Sequence, residues 1–447
     1  MQRDLTHGPI GRDLLLFAVP LILGDLLQQL YNVADTWVVG RFLGGDALAA
    51  VGSSYTLMVF LTSILLGLSM GSGAAISIQY GSRALDRVRR SVFLSFVLIA
   101  ALTAALNAAV FLLRDPLLVL LRVPAEVRPL MGAYLQVVFC GIGATFLYNY
   151  FACLLRAVGE SVVPLVFLAV SSVLNVGLDL LFVLGLHWGV RGAALATVLA
   201  QWTAAVGLVL YALRRFGALL MPRRADRRWD RGALSAIVKL SLLTCLQQSL
   251  MNFGILMIQG LVNSFGAVVM AGFAAAVKID SFAYMPVQDF GNAFSTFVAQ
   301  NHGAGRQDRI RQGIRCAGRT VLVFCLAVSL LIVVFARPLM ALFVGPEEEA
   351  ILAAGVHYLR IEGACYLGIG VLFLLYGYYR AIDRPGMSVL LTVASLGTRV
   401  ALAYALAPLP GFGVTAIWAA VPIGWALADA IGIGWYLRRI RPAQKTA

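Results

Sequence analysis

Charge is what this chain has least of. Only 13% of its 447 residues are charged, 60% are hydrophobic, and the mean hydropathy is +0.87. So little polar surface excludes a soluble domain and leaves a polytopic α-helical membrane protein. The apolar runs are long and continuous, not alternating ten-residue segments, which excludes a β-barrel. Cysteine is sparse too: Cys140, Cys153, Cys245, Cys316, Cys325 and Cys365 lie in or beside apolar segments without CxxC spacing. They read as packing residues, not as disulfides or metal ligands. The four histidines (His7, His187, His302, His357) lack metal-ligand spacing, so no metal is expected. The N-terminal MQRDLTHGPIGRD has no small-residue cleavage site after the first apolar run. That run is also too long for a leader peptide and reads as a retained span.

Twelve apolar segments can be counted, roughly 14–39, 47–75, 91–113, 130–155, 161–185, 192–213, 234–262, 268–298, 317–335, 351–379, 386–406 and 412–437. The formal charge of +14 would suggest nucleic acid in a soluble protein. Its placement says otherwise. With the N-terminus inside, 26 of the 35 lysines and arginines fall on the inner side, eight of them between Arg214 and Lys239. Seven are left outside: Arg41, Arg114, Arg122, Arg128, Arg191, Arg337 and Arg360. The positive-inside rule then predicts both termini in the cytoplasm, in a bacterial or archaeal cytoplasmic membrane. No nucleic-acid role is expected, and the inner charge has at most a minor role in holding anionic lipid.

The two halves resemble each other. At an offset of 222 residues Gly44 meets Gly266, Gly81 meets Gly303, Asp86–Arg89 (DRVR) meets Asp308–Arg311 (DRIR), and Pro124 meets Pro346. Farther on, Arg156-Ala157 matches Arg380-Ala381 and Gly189-Val190 matches Gly413-Val414. A repeat of six helices keeps one orientation, so the copies should relate by an axis along the membrane normal, with a cleft between them. The predicted domains are an N-lobe (1–213), a basic cytoplasmic linker (214–232) and a C-lobe (233–447).

The first span, LLLFAVPLILGDLLQQLYNVADTWVV, is no plain anchor. Asp25, Gln28, Asn32 and Asp35 follow at steps of three, four and three, on one helical face. A carboxylate at membrane depth costs about 3 kcal/mol, so two in one helix need water, a partner or a bound proton. Pro20 should bend or loosen the helix one turn before Asp25. The alternative is that Asp25 or Asp35 caps a helix end or pairs with a neighbour. In the fifth span, VSSVLNVGLDLLFVLGL, Asn175 and Asp179 are one turn apart. The sixth span offers Thr197, and the fourth Tyr148 and Asn149. Together with Asp35 these groups could accept a proton or an Na⁺. Two carboxylates away from water do not both ionise cheaply, so such a pair can exchange protons near neutral pH. A helix-packing hydrogen-bond network is the structural alternative.

These stretches, with LLRAVGES, GVRGAALATVLAQ and FAYMPVQDFGNAFSTFVAQNHGAGR, resemble the multidrug and toxic compound extrusion (MATE) transporters over essentially the whole chain. The resemblance is to the prokaryotic DinF-like and Firmicutes-type branches. It implies twelve helices in two pseudo-symmetric six-helix bundles around a central cleft, exporting organic cations in exchange for H⁺ or Na⁺. It also implies an N-lobe cation site of Asp35, Asn149, Asn175, Asp179 and Thr197, with Pro20 as the bend. One departure stands out. Another branch carries a seventh-helix glutamate, whereas LLTCLQQSLMNFGILMIQ has no acid here. The C-lobe instead holds Lys278, Asp280, Glu362 and Arg399, read as ion-pair candidates, with Lys278 neutralising Asp280 or Glu362 and Arg399 facing Glu362. Candidates for the drug cavity are Asp25, Gln28, Tyr31, Asn32, Met251, Tyr284, Met285 and Asp289. Gly67, Gly71 and Gly73 are expected at close helix contacts.

The expected function is a secondary active multidrug antiporter, acting as a monomer on small amphipathic cations, with H⁺ or Na⁺ as driving ion and no cofactor. A lipid-linked precursor flippase of the same superfamily is the alternative. A membrane-embedded lipid enzyme is a more distant one, since no catalytic Ser with a base or phosphate loop is present.

Overall fold

The computed structural model describes residues 4–120, 126–220, 230–345 and 347–440. Arg3, Arg122, Pro124, Arg223, Arg224, Arg227, Arg228, Pro346, Arg441 and Lys445 lie outside the described residues, as does the side chain of Arg439. Among the described residues every regular element is a helix. In order they are α1 (Ile10–Leu43), α2 (Gly45–Gly81), α3 (Leu85–Leu112), α4 (Arg114–Leu120), α5 (Arg128–Val138), α6 (Ile142–Ala157), α7 (Val162–Asp179) and α8 (Gly189–Leu220). The second half supplies α9 (Arg231–Asn263), α10 (Ala267–Gly303), α11 (Gln307–Met340), α12 (Glu349–Gly363), α13 (Tyr366–Ala381), α14 (Pro385–Leu406) and α15 (Gly413–Trp435). A 3₁₀ turn, Phe139–Gly141, joins α5 to α6, and a π-helical turn, Leu180–Gly185, extends α7.

Among the described residues ten helices are long and apolar enough to cross a membrane, and eleven if α12 and α13, bent by 53° at Gly363–Tyr366, form one span. Of the twelve spans expected from the sequence, the one this measure leaves out is α1. α1 is not among the ten or eleven, although at 34 residues it extends about 51 Å. Asp25, Gln28, Gln29, Asn32 and Asp35 dilute its apolar character. The spans leave large apolar side chains uncovered, such as Leu112, Val173, Val323 and Leu330, which a bilayer covers and water would not. The protein is an all-α, multi-pass membrane protein.

Two compact units divide the chain: one holds Val19–Cys245, the other Leu5–Ala18 with Leu246–Ala447. In the first, Phe96 packs against Phe146, Tyr150 and Phe151 with ring centroids 5.5–6.3 Å apart. The buried Tyr150 hydroxyl donates to the Val92 carbonyl at 2.8 Å, so the aromatic core leaves no stranded donor. In the second, Phe273 stacks on Trp418 at 5.1 Å and Tyr358 meets Trp418 edge-on at 4.9 Å. The residues before α1 are held there by arginines of α11. Arg306 donates to the Thr6 carbonyl (2.8 Å) and Arg309 to those of Gly8 (3.0 Å) and His7 (3.2 Å).

The backbone repeats as the sequence does. Among the described residues, all positive φ angles but that of Gly8 fall into five pairs. Gly44 and Gly266 (+87°, +94°) and Arg83 and Gly305 (+56°, +71°) are 222 residues apart. Gly159 and Asp383 (+89°, +58°), His187 and Gly411 (+55°, +89°), and Gly189 and Gly413 (+58°, +49°) are 224 apart. The same turns recur at the same places in each copy, even where one copy has lost its glycine.

Helices α2 and α9 approach closely within the first unit. A Cβ on Gly67 would lie 2.5 Å from the Cys245 Cα, and one on Gly71 only 2.4 Å from the Leu240 carbonyl oxygen. Prolines act unevenly. α11 is non-helical at Phe335 (φ −99°, ψ 15°), three residues before Pro338, where the ring crowds the preceding turn. α1 continues as a single helix through Pro20.

Candidate functional site

Within the first unit, α1, α7 and α8 bring Asp35, Asn175, Asp179 and Thr197 together. Asn175 and Asp179 share one face of α7 because they are four residues apart. The regular α-helix ends at Asp179 and the backbone widens into the π turn, a local irregularity often found at functional sites. Asn175 and Asp179 are almost wholly buried, at 1% and 0% exposure, and Thr197 is buried beside them. Oriented so that both of its ends are satisfied, the Asn175 amide donates to Asp179 Oδ2 (3.1 Å) and accepts from the Thr197 N–H (3.2 Å). Thr197 Oγ1 donates to the Ala193 carbonyl (3.1 Å), which fixes its rotamer.

The Asp35 and Asp179 carboxyl groups are in hydrogen-bonding reach of each other. Asp35 Oδ1 and Asp179 Oδ1 are buried and have no hydrogen-bond partner among the described residues. Two carboxyl groups face to face in a low-dielectric site need a shared proton or a cation between them. Carboxylate, amide and hydroxyl oxygens suit either a proton or a hard cation such as Na⁺. Among the described residues no group of three or more His, Cys, Asp or Glu side chains is arranged to hold a metal. Tyr31 and Tyr134 lie within electrostatic reach of both carboxyls, and Tyr55 stands next to Tyr31.

The other residues of this face are at a different level. Asp25 is ten residues from Asp35, about 15 Å along α1. It lies near Tyr148, whose hydroxyl donates to the Pro164 carbonyl (2.9 Å) and which also has Arg156 within electrostatic reach. Asn149 donates to the Thr145 carbonyl of its own helix (2.8 Å). Gln28 is exposed, and the half-buried Asn32 accepts the Thr36 hydroxyl at its carbonyl (2.7 Å).

The second unit has its own buried polar cluster. Tyr366 Oη donates to Asp280 Oδ1 (2.6 Å), and Tyr358, Glu362 and Arg399 surround them. Lys278, expected to neutralise these acids, is exposed and belongs to none of the ion pairs among the described residues. The reason is helical geometry: residues two apart point to opposite sides, so Lys278 cannot turn to Asp280. Arg399 of α14 is the cation that faces both acids. Tyr284 and Met285 are half-buried on α10, Tyr284 with its ring 6.4 Å from Phe373, and Asp289 is buried one turn on. Met251 is half-buried on α9. Sequence reading missed Tyr134, Tyr358, Tyr366 and Asp429. The last lies near Tyr376 and has its Oδ1 buried without a partner among the described residues. Tyr366 and Asp429 are lone polar groups in apolar runs, so no spacing marks them.

The MatE family profile matches residues 20–181 and 243–405, one stretch in each half. The chain belongs to the MatE family. Among its MATE relatives, the "Probable multidrug resistance protein YpnP" of Bacillus subtilis (strain 168) is 33% identical over 380 residues, 85% of this chain and 84% of the relative. "Probable multidrug resistance protein YoeA" of the same organism is 27% identical over 436 residues, 96% of this chain and 93% of that one. A crystal structure of MATE in complex with MaL6 superposes with a TM-score of 0.92 over 99% of each chain at 23% identity, which shows the shared fold. The resemblance found in the sequence is thus borne out: this is a MATE transporter of the Firmicutes-type branch.

Proposed function

We propose that this MATE protein is a secondary active multidrug antiporter. It exports small lipophilic or organic cations in exchange for H⁺ or Na⁺ by alternating access, and the ion acts at Asp35 and Asp179. The observation that carries the reading is the meeting of these two carboxyls beside Asn175 and Thr197, within a buried face of the first unit. The names of the Bacillus subtilis relatives support multidrug extrusion. In this reading the N-lobe (1–213) and C-lobe (233–447) move against each other in a cytoplasmic membrane, with both termini in the cytoplasm. An ion entering the carboxyl pair changes the N-lobe and lowers its affinity for drug. Coupling of this kind requires that ion and drug favour different states.

The test is ethidium efflux from reconstituted vesicles under separately imposed H⁺ and Na⁺ gradients. Efflux driven by one gradient, and lost in folded Asp35→Asn and Asp179→Asn variants, is the expected result. Full transport by both variants overturns the assignment of the ion site. No efflux of any cation by the wild type overturns the multidrug reading and favours lipid-linked precursor flipping.

A further inference from the structure

A cavity of about 390 Å³ opens in the first unit, away from the carboxyl pair, and three arginines from three different helices converge on it. Arg114 opens α4, Arg128 opens α5 and Arg191 sits in the first turn of α8. Among the described residues of the lining Asp115 is the lone acid, and Arg114 Nε already holds its Oδ1 at 2.9 Å. Three guanidinium groups against one carboxylate leave the cavity with a net charge of about +2. The rest of the wall is mostly apolar, including Leu118, Val119 and Ala133.

The position matters as much as the charge. The cavity lies where the α3 span ends and where the α5–α6 and α8 spans begin. In a chain that crosses at α1 and at each later span these three ends are on the same side of the membrane, opposite the N-terminus. The sequence places only seven arginines on that side, and three of them line this one cavity. The positive-inside tendency works against basic residues there, so topology does not explain their concentration. Beside the cavity, Leu112, Leu113 and Val119 are 81%, 52% and 59% exposed, an apolar surface at the end of a span where acyl chains begin.

We infer that this cavity binds the phosphate headgroup of an anionic phospholipid, with the acyl chains lying along Leu112, Leu113 and Val119. A planar guanidinium donates two parallel N–H bonds to phosphate oxygens, and three of them can surround one phosphodiester. Free phosphate would use the arginines but leave the apolar wall without purpose. A zwitterionic lipid would bring its own cation against the arginines. The site would hold a lipid on the first unit where α3 ends and α5 and α8 begin, independent of the ion and drug reading above.

Native mass spectrometry of the whole purified protein tests this, titrating phosphatidylglycerol or phosphatidylcholine with identical acyl chains. The wild type should retain one phosphatidylglycerol at about tenfold lower lipid concentration than phosphatidylcholine. The Arg128→Gln/Arg191→Gln double variant should lose that preference, while Arg41→Gln, an exposed arginine outside the cavity, should keep it. Millimolar inorganic phosphate should leave the lipid in place. Equal retention of the two lipids, an unchanged preference in the double variant, or displacement by inorganic phosphate each overturns the inference. Should the double variant fail to fold, phosphatidylglycerol with a photoreactive headgroup decides on the wild type. Labelling within 112–119 or 128–136 supports the site, and labelling confined elsewhere overturns it.

Discussion

Asp35 in α1 and Asp179 at the end of α7 meet carboxyl to carboxyl, each with its Oδ1 buried and without a partner among the described residues. Asn175 steadies this pair from one side only, giving its N–H to Asp179 Oδ2. Replacing Asn175 with leucine keeps the volume but strips that donor. Gradient-driven efflux should fall about fivefold or more while the protein stays folded, because a coupling free energy of 1–3 kcal/mol is at stake. Efflux by Asn175→Leu equal to wild type would remove the amide from the coupling machinery.

The paired turns of the two halves predict opposite effects of opposite swaps. Arg83 adopts a left-handed conformation that its counterpart Gly305 adopts freely. Arg83 is exposed, and its nearest acid, Asp4, is 4.0 Å away, so little else is lost on substitution. Arg83→Gly should raise stability by about 1 kcal/mol or leave it unchanged, and Gly305→Arg should lower it by a similar amount. Gly44→Ala should cost more, about 1–3 kcal/mol, since φ +87° with ψ −178° is a region closed to residues with a Cβ. Thermal unfolding in detergent measures all three.

Gly71 is a contact position, and Gly52 of the same helix is not. A Cβ on Gly71 would strike the Leu240 carbonyl oxygen at 2.4 Å and the Ser241 Cα at 2.5 Å, and backbone atoms cannot rotate away. Gly71→Ala should therefore destabilise by about 1–3 kcal/mol. Around Gly52 nothing among the described residues lies within 4 Å of the added atom. There the substitution to alanine should be neutral or stabilise by up to about 1 kcal/mol, through helix propensity alone. Equal melting temperatures for the two variants would contradict the close approach of α2 and α9.

Much of this was legible in the sequence, and the failures have physical causes. Asp25 to Asp35 and Asn175 to Asp179 announced themselves because helical periodicity makes a polar stripe visible in an apolar run. The repeat was visible as an offset of 222, and the paired φ angles follow it. Lys278 misled because proximity in sequence is not proximity on a helix. Asn149 was placed with Asp35 by resemblance alone, since no spacing ties it to that helix. Tyr366 left no trace, since one hydroxyl among apolar neighbours has no period to betray it. The break between α12 and α13 was equally silent, as no proline marks it.

Asp230, just before α9, is an exposed charge with a defined task. Its Oδ1 accepts the N–H groups of Gly232 (2.9 Å) and Ala233 (3.2 Å), and its Oδ2 accepts Arg90 Nη1 (2.9 Å). The Ala233 N–H, then the Arg90 side chain and the Gly232 N–H, hold its carboxyl below the usual carboxylate range. A depressed acid stabilises the fold above its unfolded value and loses that contribution as pH falls through the folded one. The Asp230→Asn variant keeps the cap but lacks the charge. The gap in melting temperature between it and the wild type should be open at pH 6 and close between about pH 5 and 2. A gap independent of pH would contradict the ionic part of this cap.

The measurement that reaches the central claim most directly is ethidium affinity of the purified protein, titrated against pH and against Na⁺, in the wild type and in Asp35→Asn and Asp179→Asn. If the ion and the drug compete through the carboxyl pair, wild-type affinity falls about fivefold or more as the coupling ion is raised, and both variants bind ethidium with an affinity that no longer responds to it. If the variants keep the full ion dependence of the wild type, coupling does not run through Asp35 and Asp179.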